Sequence, residues 1–186
     1  SILWAGTRKG SIFQINTHTL KVTSLPILPH TNLYITYIYP DSHQRIWIGT
    51  DNNGLYVSDR NGNIIAFYSK EQLGSNAIKG IIEDEMSNVW VGTGNGLCCI
   101  HSQTGSIDRY TTADGLPINQ FNYSSACKKP DGELSFGTIN GMLSFYPERV
   151  RSVNPRSNIA LPAIWSNSEY LSPNNEKAFI TSSIPE

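Results

Sequence analysis

Apolar residues in this chain fall in short runs that stop at Gly, Asn or Asp, and the pattern as a whole recurs. Its most regular part is Trp4-Ala5-Gly6-Thr7, which returns as Trp47-Ile48-Gly49-Thr50, as Trp90-Val91-Gly92-Thr93 and, altered, as Ser135-Phe136-Gly137-Thr138. The spacings are 43, 43 and 45 residues, a period that holds one four-stranded unit and makes the chain an array of repeats. A glycine follows each cassette (Gly10, Gly54, Gly96, Gly141), and an apolar run follows each glycine. That is a hairpin whose turn uses positive φ. A second turn, Asn61-Gly62-Asn63 or Thr104-Gly105-Ser106, leads into another apolar run, with Thr19 in the corresponding place of the first repeat. Upstream of the cassette a fourth run, at 34–39 and 78–83, closes on a polar turn.

The pattern predicts strands over 2–7, 11–16, 20–24, 34–39, 45–50, 54–58, 63–68, 78–83, 88–93, 96–101, 106–111, 122–128, 133–138 and 141–146. Four short strands per repeat of about 40–50 residues read as a β-propeller blade. No 3.6-residue periodicity competes, and the best helical stretch, 69–75, is short. The expected fold is all-β: a partial propeller of about four blades, two complete and two incomplete, over 1–150, followed over 151–186 by a linker and the start of a β-sandwich. The first blade lacks its innermost strand and the last its outermost. Such an arc exposes apolar blade faces, so the expected partners are the remaining blades of a longer polypeptide or a second copy in a homodimer.

Charge narrows the function classes. With 14 basic and 15 acidic residues the net charge is −1, which gives no field to attract nucleic acid or an anionic membrane. No run approaches the roughly 18–20 apolar residues of a membrane span. The start inside a repeat, at Ser1, is read as a cut from a larger protein.

Candidate chemistry is sparse. Cys98 and Cys99 are neighbours in one predicted strand, so they point to opposite faces, and with Cys127 they have no disulfide or zinc spacing. All three read as buried small hydrophobes. His18, His30, His43 and His101 show no ligand spacing, so no metal site and no cofactor are assigned. Trp4, Trp47 and Trp90 could stack on sugar rings, but one large aromatic per repeat is better explained by packing between blades. The Gly-Thr pairs suit close backbone approach and a cross-strand hydroxyl contact, since a phosphate loop needs a following helix and strands follow instead. Asp59-Arg60-Asn61-Gly62-Asn63 opens like a calcium loop but lacks the later acids, so it reads as a type I′ or similar turn. Tyr37 and Tyr39 share a strand face near Tyr34, with burial preferred over a sugar platform.

At these residues a family resemblance enters. Trp-x-Gly-Thr followed by Gly-Leu, with the preceding Ile-x-x-Asp turn, resembles the two-component regulator propeller repeat of sensors from gut Bacteroides. The segment Asp114-Gly115-Leu116-Pro117, Gln120-Phe121-Asn122, Asp131-Gly132-Glu133-Leu134, Asn140-Gly141 and Phe145-Tyr146-Pro147-Glu148 is similar to the last blade before the triple-tyrosine sandwich of that family. Leu161-Pro162-Ala163-Ile164 resembles the opening strand of that sandwich. The resemblance implies the periplasmic part of a membrane-anchored hybrid two-component histidine kinase that responds to oligosaccharides. This stretch carries no kinase motif, so it is read as non-enzymatic and as acting by binding. In such a bacterial protein the sequon Asn122-Tyr123-Ser124 would be idle.

Rival readings fit less well. Asp41 and Asp84 lie six residues before their tryptophans, without the Ser-x-Asp-x-Gly-x-Thr-Trp turn of a propeller glycosidase. WD, kelch and quinoprotein signatures are absent from the sequence. Two alternatives to an oligosaccharide sensor stay open: a structural or protein-interaction propeller, and a carbohydrate-active enzyme fragment. Alternating strand directions bring the loop between second and third strands to the same face as the link that enters from the previous blade. That face gathers Arg8, Lys9, Asp51, Asn52, Asn53, Asn95 and Asn140 with the links containing Asn32, Asn76, Asn119 and Gln120. Arg8, Lys9, Asp51, Asn52, Asn95, Asn119, Gln120 and Asn140 are the expected ligand-binding residues, because planar amides and charges suit sugar hydroxyls.

Overall fold

The structure, a computed structural model, describes residues 1–25, 33–150, 164–166 and 169–171. The expectations at His30, Asn32 and 161–163 lie outside the described residues. All fourteen predicted strands are present, with ends differing by a residue or two. The first sheet holds β1 (Ile2–Gly6), β2 (Ile12–Asn16) and β3 (Val22–Ser24); the second holds β4 (Ile35–Pro40), β5 (Ile46–Thr50), β6 (Leu55–Ser58) and β7 (Ile64–Tyr68). The third holds β8 (Ile78–Glu83), β9 (Val89–Thr93), β10 (Gly96–Ile100) and β11 (Ile107–Tyr110); the fourth holds β12 (Phe121–Lys128), β13 (Leu134–Thr138) and β14 (Gly141–Phe145). Each is an antiparallel meander, so the 3-4-4-3 strand count follows the repeat boundaries. One short helix, α1 (Lys70–Leu73), lies in the link before the third sheet. Beyond them, β15 (Ile164–Ser166) and β16 (Glu169–Leu171) pair as a hairpin where a single opening strand was expected.

Each core lies between two sheets. One packs Ile12, Leu33, Ile46, Ile48 and Tyr56 between the first and second sheets; another packs Trp47, Leu55, Val57, Ile78, Ile81, Val91 and Cys98 between the second and third. A third packs Trp90, Leu97, Cys99, Tyr110, Phe121, Phe136 and Phe145 between the third and fourth. The middle strands β5, β6, β9 and β10 are therefore buried along their whole length, and the tryptophans act as packing residues. Trp47 stacks on Tyr68 and Trp90 on Tyr110 at matching places. Cys98 and Cys99 do enter opposite cores, where burial raises the Cys98 thiol to about 12 and the Cys99 thiol still further. Cys127 departs from expectation: it lies exposed on the innermost strand of the fourth sheet.

The repeated polar residues shape the turns. Asp84 Oδ2 accepts the Trp90 indole N–H at 2.9 Å, while its Oδ1 takes the backbone N–H groups of Met86 and Asn88. Asp41 does the same for Trp47 and Arg45. The six-residue Asp-to-Trp spacing thus satisfies a buried indole. In the fourth repeat both partners change together, to Lys129 and Ser135. The 59–63 turn is not type I′. Only Gly62 has positive φ, Gly62 N–H reaches Asp59 C=O, and the Asp59 side chain caps the N–H groups of Asn61 and Asn63. This is a type I turn followed by a left-handed residue, and the 41–45 and 84–88 turns repeat it with Gln44 and Ser87 in the left-handed place.

The cassette glycine sets how close the sheets come. A Cβ on Gly49 would lie 2.6 Å from Ile78 Cγ2, and one on Gly6 would lie 2.7 Å from Ile35 Cγ2. Gly49→Ala therefore forces the third sheet outward, and the expected cost is about 1–3 kcal/mol. Chemical denaturation checks this, and unchanged stability would contradict the close approach.

Candidate functional site

The face predicted from strand direction exists. Asp51 N–H bonds Tyr34 C=O at 3.0 Å, Gly54 N–H bonds Asn76 C=O at 2.9 Å, and Gly96 N–H bonds Asn119 C=O at 2.8 Å. The loop of the second sheet is thus tied both to the link that enters that sheet and to the link of the third, and the loop of the third sheet is tied to the link of the fourth. The cassette threonines hold those loops from within. Thr50 Oγ1 donates to Gly54 C=O and accepts Asn53 N–H, and Thr93 and Thr138 repeat the arrangement.

The innermost strands meet this face through bulges. In β4, Thr36 lies unpaired between Ile35↔Thr50 and Tyr37↔Gly49; in β8, Lys79 lies unpaired between Ile78↔Thr93 and Gly80↔Gly92. In β12 the pairs Phe121↔Thr138 and Ala126↔Phe136 leave residues 122–125 opposite Gly137 alone. Ser125 packs against Gly137 as Gly80 lies opposite Gly92, so the excess is Tyr123 and Ser124. These two residues account for the last spacing of 45 in place of 43. Ser124 takes φ +52, a left-handed conformation uncommon for a residue with a side chain.

The enlarged bulge reaches across two sheets. The Lys79 ammonium lies 3.4 Å from the centre of the Tyr123 ring and 3.5 Å from Asp51 Oδ1, and the Tyr123 hydroxyl donates to that same oxygen. Lys79 is largely covered, whereas Tyr123 is 49% exposed. Farther along the face the Arg8 guanidinium lies 4.9 Å over the Tyr34 ring. Arg8 with Tyr34, and Asp51 with Lys79 and Tyr123, thus form two charged and aromatic groups on this face, linked through the backbone bond from Asp51 to Tyr34.

Sequence reasoning named Arg8 and Asp51 and missed Lys79 and Tyr123. Their one visible sign was the longer final spacing. Of the remaining expected residues, Lys9, Asn52, Asn95, Gln120 and Asn140 are exposed on this face. Asn119 differs, since its side-chain oxygen accepts Thr112 N–H at 2.7 Å and its amide turns to the Thr112 hydroxyl. It braces its own link. Tyr37 and Tyr39 share the core side of β4, as expected, and burial raises both phenols.

Two features lie away from this face. A cleft of about 430 Å³ is lined by Trp90, His101, Asp108, Tyr110, Glu148 and Val150, among others, beside the outer half of the third sheet. It opens where the fourth sheet carries three strands in place of four. Within it His101 Nε2 lies 2.9 Å from Asp108 Oδ2, and burial with the neighbouring Asp108 carboxylate pushes the Tyr110 phenol up. The ligating atoms of Asp41, His43 and Glu83 lie within 4.8 Å of one another. Their carboxylates are already engaged: Asp41 by Arg45 and the Trp47 indole, Glu83 by the Ser42 N–H and hydroxyl. A cation there would have to displace these bonds, so the group reads as a staple between neighbouring sheets.

Residues 29–52 match the family described as two component regulator propeller, so the chain carries such a repeat. It is 23% identical over 99% of its length to histidine kinase P4 of Formosa agariphila, of which it spans 17%. Among solved structures it resembles the extracellular domain of a hybrid two-component system from B. thetaiotaomicron, with TM-score 0.68, 24% identity, and 92% of this chain against 25% of that one. The extracellular domain of a one-component system from the same organism gives TM-score 0.66 and 26% identity, covering 88% and 24%. A streptogramin B lyase shares the fold at TM-score 0.61 and 16% identity, covering 80% of this chain and 52% of that one. The chain spans a quarter or less of the two-component relatives. No helix among the described residues is long and apolar enough to cross a membrane.

For the Asp51–Tyr123 contact a double-mutant cycle with Asp51→Ala and Tyr123→Phe is expected to give a coupling of about 0.5–1 kcal/mol in unfolding free energy. Additive effects would contradict the contact.

Proposed function

We propose that this chain is part of the periplasmic, ligand-reading ectodomain of a membrane-anchored hybrid two-component histidine kinase, and that it contacts an oligosaccharide on the face carrying Arg8, Asp51 and Lys79. The likeness to extracellular domains of two-component systems supports the sensor reading. The guanidinium, carboxylate, ammonium and two tyrosine rings on this one face support the ligand reading. Sugars present hydroxyls and apolar C–H faces together, and such a surface offers partners for both. In this reading the chain performs no chemistry and signals by changed geometry. The lyase that shares the fold is a reminder that the fold alone does not assign an activity.

The same proposal includes a partner. The first sheet exposes Leu3 at 55%, in the place before the tryptophan where the inner sheets bury Ile46 and Val89 against neighbours. Further blades of the same polypeptide cover it in the intact ectodomain. The 1–186 chain by itself is expected to self-associate at micromolar concentration in light scattering, and a stable monomer would contradict this.

The ligand reading is tested by calorimetric titration of the intact ectodomain with oligosaccharides from starch, xylan, mannan, arabinan and pectin. Arg8→Ala combined with Asp51→Ala is expected to weaken the binding found by about tenfold or more. Unchanged affinity would remove this face from consideration.

A further inference from the structure

The two residues by which the last repeat exceeds the others form no part of the propeller framework. The second and third sheets close their innermost strands with one bulged residue each, Thr36 and Lys79, and Thr36 Oγ1 uses its place to bond Ile78 C=O at 2.7 Å. The fourth sheet keeps the same flanking pairs and adds Tyr123 and Ser124 between them. The addition carries a cost, since Ser124 adopts φ +52 and Tyr123 leaves half its surface in water. Packing of the third and fourth sheets gains nothing from it, because that core is completed by Phe121, Phe136 and Phe145.

What the addition provides is an aromatic ring over the inner ends of the sheets. Its position is held at two points, by the Lys79 ammonium on the ring and by the bond from its hydroxyl to Asp51. The trio balances its own charge, Lys79 against Asp51. An acidic sugar would have to compete with Asp51 for Lys79, whereas a neutral sugar needs no such exchange. Asp51 Oδ2 accepts no hydrogen bond among the described residues, so it is open to a hydroxyl donor. The Lys79 ammonium is largely covered and engaged by Asp51 and by the ring, so it offers no free cation to an acidic sugar. With the ammonium on one face of the ring, the opposite face and the Asp51 carboxylate at its hydroxyl edge are what a sugar unit can reach.

From this placement we infer that Tyr123, carried on the two-residue insertion, is the stacking platform for a neutral sugar ring on its face turned away from Lys79, with Asp51 contacting a hydroxyl of that sugar. The inference rests on the oligosaccharide reading above and specifies where one unit sits and that it is uncharged. Tyr123 is thereby the specificity-determining residue of the face.

The insertion itself supplies the test. Deleting Tyr123 and Ser124 leaves Asn122 as a single bulged residue with Ser125 opposite Gly137, the geometry that the third sheet already shows to be compatible with the fold. The probes are two pools applied to the intact ectodomain: neutral oligosaccharides from starch, xylan, mannan and arabinan, and acidic ones from pectin and heparin. The wild type is expected to bind a neutral oligosaccharide. The deletion and Tyr123→Ala are expected to weaken that binding at least tenfold while the melting temperature falls by no more than about 2–4 °C, the loss of the Asp51 contact, and Tyr123→Phe, which keeps the ring, stays within about threefold. Neutral-sugar binding that survives the deletion overturns this inference and leaves the sensor reading intact. Binding of acidic oligosaccharides alone overturns the neutral assignment. If neither pool binds the wild type, the oligosaccharide reading fails and this inference fails with it.

Discussion

The structure depends on a close approach that only glycine permits. At Gly6, Gly49 and Gly92 the second strand of a sheet presents bare backbone, and the first paired residue of the next innermost strand, Ile35, Ile78 or Phe121, packs against it. That contact fixes the spacing between sheets and so determines which side chains can fill it. Trp47 and Trp90 occupy the outer part of the gap, each held by a carboxylate six residues earlier. Immediately after the contact residue each innermost strand bulges, so the approach that builds the core also decides where the bulged residue emerges. Lys79 and Tyr123 meet because two successive strands are placed by the same rule.

Much of this was legible in the sequence because a repeat states each requirement several times. The strand order, the blade boundaries and the packing role of the tryptophans all follow from residues that recur in register. The two-strand deficit of the array followed from counting, and the sheets show it. The common face of loops and links followed from strand direction alone. What stayed hidden was local. A bulge leaves no mark in a hydrophobic pattern, because the unpaired residue reads as one more member of its strand. Tyr123 looked like an ordinary strand aromatic, and its placement depends on Lys79, more than forty residues earlier. Cys127 reads as a third buried thiol from residue type alone, but it lies exposed near the end of the innermost strand of the fourth sheet. At 59–63 the residues leave the turn type open, because those that suit type I′ also suit a type I turn with a left-handed glycine.

The departures in the fourth repeat form a set. Its Asp and Trp are replaced together by Lys129 and Ser135, its sheet has no outer strand among the described residues, and its innermost strand is lengthened. The first two changes relax the outer half of the blade and leave the cleft beside Trp90 and Tyr110. The third adds exposed aromatic surface at the inner end. A repeat that kept only its packing duties would have no use for the lengthened strand, and this separates the functional candidate from the framework.

A crystal structure of the intact ectodomain with a bound oligosaccharide tests this account most directly. It should show one sugar ring on the face of Tyr123 turned away from Lys79, at about 4 Å between heavy atoms, with a hydroxyl turned to Asp51. A sugar seated in the cleft beside Trp90, with the Tyr123 ring untouched, would contradict it.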